Sequence, residues 1–318
     1  MRYSDFLQRV VALARQRGTK IVFDIDDFIV SAEGDNIFAP EISAAMELAD
    51  IVSVSGRFLA EKVAAEGHAC RVVRNRLPQD VVDQGLRAPE RRGHESPIVT
   101  LGYFSGSAHH DEDFAMVTPQ LVAVMEELPH LHLMIGGKIT VSDAFKKFGD
   151  RVRMKPFRPY REFIELLGRI DINLAPLDLR SQFAAARSEL KYLEASAFGV
   201  PTVASPSWAF SDAIDDGVSG LLVGPSDWAT ALRRLATDAE QRRVIGTAAR
   251  AAVVRDHGPE AGRRDWTEFF HTLVATKADD TPAHLPTFAA ADLTARAALL
   301  RFKNGIKARR STKGSEAS

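Results

Sequence analysis

The sequence predicts an α/β protein with parallel sheets, because short apolar runs alternate along the chain with longer segments of helical periodicity. The run at 51–54 is typical: a Ser-Gly turn follows it, and then a helical segment at 58–65. Hydrophobic residues make up 45% of the 318 residues and charged residues 26%, which is enough to bury a sizeable core. These features exclude a globally disordered chain.

Charge and cysteine content narrow the class of protein. The formal net charge of -1 shows no basic excess, so no nucleic-acid partner is predicted. Cys70 is the only cysteine, which excludes a disulfide within the chain and a multi-cysteine zinc site. No apolar run approaches the roughly 20 residues of a membrane-spanning helix, and the first residues do not resemble a secretory signal. We therefore expect a cytoplasmic protein, soluble or peripheral to the inner face of a membrane.

Two domains of unequal size are predicted. Residues 1–77 supply only about three strands, at 20–23, 51–54 and 69–73, which is few for a Rossmann-like domain. Residues 78–97 are polar and rich in proline, as in a linker.

The alternation resumes at 98–275 and predicts a complete domain. Its expected strands lie at 98–103, 131–135, 152–156, 171–175, 202–204 and 220–223. Residues 276–318 form a basic and largely disordered tail, and a peripheral contact of this tail with an anionic membrane is one hypothesis. A plain solvated helix within the tail is the alternative.

The stretch 188–205 reads as a helix, a stop at Gly199, a proline and a buried strand. Ser188, Lys191 and Glu194 are spaced three residues apart, so they are expected on neighbouring positions of the first turns. The amino terminus of a helix attracts anions, and a lysine beside it strengthens phosphate binding. A carboxylate there accepts paired hydrogen bonds from ribose hydroxyls. An ordinary amphipathic helix with solvated charges is the alternative interpretation.

This stretch resembles the donor-binding helix of the family 4 glycosyltransferases and their relatives, which have the GT-B fold. The family places a glutamate before Ala-small-Ala-x-Gly-x-Pro-x-Val-(Ala/Ser), and residues 194–205 match that pattern. Further similar segments occur in the family's order at 49–55, 72–75, 210–216, 217–223 and 228–235. The resemblance covers residues 20–272 and implies two Rossmann-like domains facing a cleft, the N-terminal one incomplete and the C-terminal one complete.

The resemblance also implies roles for single residues. Glu194 would bind the nucleotide ribose. The family's E-x7-E motif has an earlier glutamate that usually contacts the donor sugar, and Ala186 occupies that position here. The sequence is instead similar to a subgroup with a Ser-x-x-Lys element, which implies diphosphate contacts for Ser188 and Lys191.

A glycine- and serine-rich turn within 102–111 follows a strand and opens a helix. Small residues let backbone amides approach a phosphate closely. The family often places an arginine and a lysine in this region, and neither is present. Donor contacts are therefore expected from Gly102, Ser105, Gly106, Ser107 and His109. A plain Gly/Ser turn is the alternative, and two adjacent histidines do not share one helix face as metal ligands.

Two further groups face the same predicted cleft. Lys138 ends a strand and is either a phosphate contact or a solvated lysine. Asp24, Asp26 and Asp27 follow the first strand, where open parallel sheets bind ligands. We assign these carboxylates to catalysis on the acceptor side of the cleft. A Mg2+ clamp, a phosphatase nucleophile and a loop-capping role are the alternatives, and the phosphatase lacks its expected Gly-Thr at 28–29.

The implied activity is transfer of a sugar from a nucleotide-diphosphate donor to a hydroxyl of a glycan or lipid-linked acceptor, with retention of configuration, as in polysaccharide biosynthesis. No cofactor is expected, and a divalent metal is permitted but not required. A non-catalytic module that binds a nucleotide sugar or glycan, or a fragment of a larger transferase, is the alternative, because the first domain is incomplete.

Overall fold

The N-terminal lobe is built on a parallel sheet of three short strands in the order β1-β2-β3: β1 (Val22–Ile25), β2 (Ile51–Val54) and β3 (Cys70–Val72). The computed structural model describes residues 5–26, 40–88, 97–106, 111–180, 184 and 186–275. These residues belong to one unit, 1–275, and the predicted basic tail, 276–318, lies outside the described residues. Strand β1 extends two residues beyond its predicted end, because its pairing with β2 continues to Ile25.

Three helices accompany this sheet: α1 (Asp5–Gln16), α2 (Pro40–Glu47) and α3 (Arg57–Ala65). The core of the lobe is small and consists of the apolar side chains that the strands and helices share. Its buried members are Ile25, Ile42, Met46, Val52, Val54, Leu59, Val63 and Ala186. Ala186 belongs to the second half of the chain, so the two halves of the described structure share this core.

The predicted linker at 78–97 is partly wrong, because it contains helix α4 (Gln79–Arg87). The helix buries Val81 and Val82 in a core cluster of the second lobe. Gly85 makes this packing possible, since a Cβ at that position would lie 2.1 Å from the carbonyl oxygen of Ala197. The polar composition of the segment obscured a single apolar stripe, which is sufficient for a short helix on a surface.

The C-terminal lobe contains a six-stranded parallel sheet with the order β6-β5-β4-β7-β8-β9. Its strands are β4 (Val99–Ser105), β5 (Leu131–Gly137), β6 (Val152–Lys155), β7 (Ile172–Ala175), β8 (Thr202–Ala204) and β9 (Leu221–Leu222). This order is that of the doubly wound α/β fold, and it reverses direction between β4 and β7. All six predicted strands are present.

Helices cover both faces of this sheet. They are α5 (Asp111–Glu127), α6 (Tyr160–Leu167), α7 (Leu190–Ala197), α8 (Trp208–Ala213), α9 (Trp228–Thr237), α10 (Ala239–His257) and α11 (Pro259–Ala275), with a 3-10 segment at Asp143–Arg151. Within the described ranges, no helix is long and apolar enough to cross a membrane.

The last helices tie the two lobes together. Leu77 donates a backbone hydrogen bond of 2.9 Å to the carbonyl oxygen of His257, at the end of α10. Arg76 forms an ion pair with Asp265 of α11. The segment that crosses between the lobes is therefore held against α10 and α11.

We expect Gly85→Ala to destabilise the protein by about 1–3 kcal/mol, because the new methyl group overlaps the backbone of α7. In an open helix the same change would stabilise by about 0.5–1 kcal/mol. Urea denaturation measures the difference, with Leu86→Ala as control, since the Leu86 side chain is exposed. A neutral or stabilising Gly85→Ala would show that α4 does not approach α7 this closely.

Candidate functional site

A cavity of about 300 Å3 opens at the carboxyl ends of β4, β5 and β6, against the first turns of α7. This edge of a doubly wound sheet is where ligands bind. The walls are largely apolar and include Phe104, Phe157, Tyr160, Phe163, Leu166 and Leu190. Four residues predicted from the sequence also line the cavity: Ser105, Gly106, Lys191 and Glu194. Apolar walls around a few polar groups are typical of small-molecule sites.

Lys191 provides a buried positive charge at the second residue of α7. Its Nζ atom lies 4.3 Å from the centroid of the Tyr103 ring and has no hydrogen-bond partner among the described residues. Loss of hydration lowers the pKa of Lys191 to about 8, while the negative charges of Asp113 and Glu194 oppose this shift. A buried ammonium group that lacks a hydrogen-bonding partner is suited to receive one from a ligand.

Glu194 lies one turn further along α7 and is also buried. Burial raises the pKa of Glu194 to about 7, while a hydrogen bond with the Tyr160 side chain and the charge of Lys191 favour its ionised form. The pKa of Tyr160 is raised, through its burial first and then through this carboxylate. The cavity therefore brings together the cation of Lys191, the carboxylate of Glu194 and the phenol hydroxyl of Tyr160.

Glycines shape the rim of the cavity. Gly137 has a φ of 102°, and a Cβ there would lie 1.8 Å from the carbonyl oxygen of Ser105. The same carbonyl accepts a hydrogen bond of 3.2 Å from the backbone N–H of Lys138. At Gly106, in contrast, a Cβ would meet nothing within 4 Å. Gly106 therefore leaves its backbone open at the rim, while Gly137 permits the close approach of β4 and β5.

The other predicted donor contacts lie elsewhere. Gly102 is inside β4, and a Cβ there would lie 2.4 Å from the Ile170 side chain, so it packs beneath the cavity. The exposed Lys138 has its Nζ atom 5.4 Å from the ring centroid of Phe157, a wall residue. Ser188 precedes α7 and lines a second crevice. Ser107 and His109 fall outside the described residues.

The start of α7 differs from its prediction, since the helix begins at Leu190 and Glu189 is its N-cap residue. Ser188 therefore does not lie on the first turn with Lys191. Ala186, at the position of the missing family glutamate, is buried in the core of the N-terminal lobe. At this position the chain has a small apolar side chain that packs in the core, in place of the family's carboxylate.

The acidic group of the N-terminal lobe lies at the end of β1. Asp24 accepts a hydrogen bond of 2.5 Å from the Ser53 hydroxyl, and Asp26 accepts one of 2.9 Å from the Asn75 side-chain amide. Both aspartates are exposed, and Asp27 lies outside the described residues. Among the described residues, no three His, Cys, Asp or Glu side chains are close enough together to hold a metal ion.

Three residues near the site were not predicted: Tyr160, Arg187 and Glu189. Arg187 lies 3.8 Å from Asp113, and both side chains are nearly buried. Glu189 is 3% exposed, and burial raises its pKa to about 7. The three-residue spacing of positions 188, 191 and 194 does not include 187 or 189, so this pattern does not predict them as site residues. Only the knowledge that the helix starts at Leu190 identifies Glu189 as an N-cap.

The fold and cavity define a doubly wound, ligand-binding α/β domain with a smaller parallel-sheet lobe packed against it. Residues 98–238 match the family model described as "Glycosyl transferases group 1". This segment is therefore similar to the proteins of that family, and the chain has the GT-B architecture of two Rossmann-like lobes, as the sequence predicted.

Solved structures share this fold. A crystal structure of Anabaena HepE "in complex with UDP and glucose" is 14% identical, with a TM-score of 0.60 over 83% of this chain and 74% of that chain. Sucrose-phosphate synthase from Thermosynechococcus elongatus is 17% identical, with a TM-score of 0.60 over 86% of this chain and 78% of that chain.

Two curated proteins are similar over short segments. Both are named D-inositol 3-phosphate glycosyltransferase. The one from Corynebacterium kroppenstedtii is 46% identical over 57 residues, which cover 17% of this chain and 13% of that protein. The one from Corynebacterium jeikeium is 38% identical over 98 residues, which cover 30% of this chain and 22% of that protein. The matched segments thus span less than a quarter of either relative.

We expect Lys191→Met to be more stable than the wild type at pH 7, by up to about 3 kcal/mol. The pKa of Lys191 is lowered from 10.5 to about 8, so the unfolded chain binds more protons between these values. The wild-type free energy of unfolding therefore rises with pH through this window, and the advantage of the variant shrinks.

Urea denaturation at neutral and alkaline pH measures this difference. Lys138→Met is the control, because the Lys138 side chain is exposed. A stability difference between Lys191→Met and wild type that stays constant from pH 7 to pH 10 would contradict the burial of the ammonium group.

Proposed function

We propose that the chain is a glycosyltransferase that moves a sugar from a nucleotide-diphosphate donor to a hydroxyl of a glycan or lipid-linked acceptor, with retention of configuration. The unpaired, buried ammonium group of Lys191, at the start of α7 in an apolar cavity, carries this proposal. The family of residues 98–238 supports it. The reaction needs no cofactor and no nucleic-acid partner, and a divalent metal is permitted but not required.

The positive charge of Lys191 stabilises the leaving group of the proposed reaction, the nucleoside diphosphate. In the reaction the bond between the anomeric carbon and the diphosphate oxygen breaks, and its electron pair leaves with the nucleoside diphosphate. The acceptor oxygen forms the new bond to the anomeric carbon and loses its proton. A cation and the free N–H groups of a helix start, placed beforehand in an apolar cavity, stabilise the charge that develops on the diphosphate.

Glu194 and the aromatic walls suit the nucleoside part of the donor. The ionised Glu194 carboxylate accepts hydrogen bonds from two ribose hydroxyls, and the Tyr160 side chain holds it in place. Phe157 and Phe163 offer ring faces for a flat base. Since the HepE structure was solved "in complex with UDP and glucose", UDP-glucose is the first donor to test.

The size of the N-terminal lobe favours the alternative, a non-catalytic module that binds a nucleotide sugar. Its described residues contain three strands, and acceptor chemistry needs groups from this lobe. Asp24 and Asp26 stand at its edge, where a general base or an acceptor contact is required. A measurement of catalytic turnover distinguishes the glycosyltransferase from the binding module.

We expect UDP-glucose affinity to be highest between about pH 7 and 8. Below pH 7 Glu194, with a pKa of about 7, gains a proton and accepts fewer hydrogen bonds. Above pH 8 Lys191, with a pKa of about 8, loses its charge. Calorimetric titration from below pH 7 to above pH 8 measures the loss of affinity on both sides of the optimum.

Substitutions identify the residue that causes each loss of affinity, on the acidic and on the alkaline side of the optimum. Lys191→Met and Glu194→Ala each weaken binding by about tenfold or more, while the fold survives. In Lys191→Arg the side chain keeps its charge at high pH, so the loss of affinity above pH 8 should disappear from the measured range. In Glu194→Gln no carboxylate remains to gain a proton, so the loss of affinity below pH 7 should disappear. Unchanged affinity in both Lys191→Met and Glu194→Ala would show that the donor binds elsewhere.

We expect the purified chain to release UDP from UDP-glucose, and Asp26→Asn to lower the rate by about 100-fold or more without weakening donor binding. Coupled detection of UDP measures the rate, and Asp83→Asn in α4 is the control. Tight binding of the donor without any turnover, over a panel of donors and acceptors, would favour the binding module.

A further inference from the structure

A polar cavity of about 270 Å3 lies beside the segment that crosses between the lobes. Its walls come from this segment, from the ends of α8 and α10 and from the start of α11. Arg74, Arg76 and Arg264 line it together with three aspartates and His257. None of these residues lines the proposed donor cavity, and the volume is close to the lower end of the range for small-molecule sites.

Two of the aspartates in this polar cavity are already bound by arginines that do not line it. Asp212 accepts two hydrogen bonds from Arg57, and Asp256 accepts two from Arg255. These pairs neutralise both carboxylates from outside the cavity. Among the charged groups that line it, three guanidinium groups then remain with a single further carboxylate, that of Asp265.

Arg76 holds a hydrogen-bond donor that no described residue accepts. Its guanidinium group donates to the Asp265 carboxylate and, at 3.1 Å, to the carbonyl oxygen of Asn75, while its Nε atom is buried without a partner. Gly262 of α11 makes room for this side chain, since a Cβ there would lie 2.9 Å from the Cγ atom of Arg76. A buried donor without an acceptor costs free energy, and a bound acceptor would remove that cost.

Arg74 and Arg264 also have donors that their neighbours do not use. Arg74 donates a hydrogen bond of 3.2 Å to the carbonyl oxygen of Asp212, and its Nη2 atom lies 3.5 Å from the carboxylate that Arg57 already binds. The Nε atom of Arg264 lies 3.5 Å from the Asp265 carboxylate, which already accepts from Arg76. A guanidinium group has five N–H donors, so these contacts use only part of them.

Three further ionisable groups lie close to the crossing segment. Burial lowers the pKa of His257, so its ring adds no fixed positive charge. Its Nδ1 atom donates to the carbonyl oxygen of Asn75 at 3.1 Å and lies 3.9 Å from Glu189. Asp26 accepts a hydrogen bond from the Asn75 side-chain amide. Glu189 and Asp26 do not line the polar cavity, so they lower the positive potential there without using the remaining donors of the arginines.

Three guanidinium groups with unused donors match a phosphate group. A phosphate has oxygens on several sides and carries up to two negative charges, and arginine binds it through paired hydrogen bonds. A carboxylate has only two oxygens, which lie in one plane, so it cannot meet three arginines equally well. Arg74 and Arg76 belong to the crossing segment and Arg264 to α11, so one ligand would contact both elements.

We propose that this polar cavity binds inorganic phosphate or the phosphate group of a small phosphate monoester, through Arg74, Arg76 and Arg264. The cavity is separate from the proposed donor cavity, so the proposal does not depend on the proposed glycosyltransferase function. A ligand at this position stabilises the contact between the crossing segment and α11.

Calorimetric titration of inorganic phosphate and of glucose 6-phosphate into the full chain, at constant ionic strength, tests the proposal. The wild type should bind at least one probe with a Kd of about 1 mM or lower. Arg74→Ala and Arg264→Ala should each weaken this binding by about tenfold, because each removes charge-assisted hydrogen bonds. Arg264→Lys keeps the charge and should weaken it less. Arg263→Ala is the matched control and should bind like the wild type, since Arg263 pairs with Glu260 and does not line the cavity.

Lys191→Met separates this cavity from the donor cavity, because phosphate binding should persist in that variant. The probe that binds more tightly shows whether the ligand is the free ion or a monoester. If Arg74→Ala fails to fold, Arg264→Ala still decides, since the Arg264 side chain is 70% exposed.

The proposal is overturned if the wild type binds neither probe at about 10 mM, or if the folded Arg74→Ala and Arg264→Ala variants bind like the wild type. Loss of binding in Lys191→Met would also overturn it, because the phosphate would then occupy the donor cavity. Acetate that binds as tightly as phosphate would show that the cavity does not select a phosphate group, which equally contradicts the proposal.

Discussion

The burial of one positive charge, the Lys191 ammonium group, determines the electrostatics of the candidate site. The Lys191 Nζ atom is buried without a hydrogen-bond partner among the described residues, and Lys191 lines a cavity with largely apolar walls. Its attraction to the face of the Tyr103 ring and to the charges of Asp113 and Glu194 offsets only part of the lost hydration, so its pKa stays low. A diphosphate would supply the missing partner, and the low local dielectric would strengthen that interaction. The energetic cost of the unpaired ammonium group would thus be the source of the proposed affinity for a diphosphate.

Such a charge is useful only if the helix that carries it cannot move away. The Asn173 side chain donates to the carbonyl oxygen of Lys191 at 3.0 Å and to the Thr202 hydroxyl at 3.1 Å, which fixes α7 to β7 and β8. The other end of α7 is held by Gly85 of α4, and Gly199 ends the helix with a φ of 64°. The contacts at the Lys191 carbonyl and at Gly85 involve backbone atoms, so repacking of side chains cannot easily relax them.

The sequence predicts the second sheet almost completely, because buried parallel strands give continuous apolar runs between turn signals. It does not predict α4, whose stripe of Val81 and Val82 is hidden in a polar segment. Within the site, Lys191 and Glu194 follow from their spacing and family pattern. Glu189 and Tyr160 do not, because their environments arise from elements distant in the sequence: His257 faces Glu189, and α6 brings Tyr160 to Glu194.

The replacement of the family glutamate by Ala186 has a consequence for the whole cleft. Because Ala186 is buried with residues of the N-terminal lobe, this position ties the two lobes together, and it has no charge to offer a ligand. A buried carboxyl group, Glu189, follows three residues later at the N-cap of α7. A carboxylate at this end of a helix is stabilised by the helix dipole, which an apolar core does not provide. The start of α7 therefore carries a buried carboxylate at its N-cap residue, Glu189, and a buried cation at its second residue, Lys191.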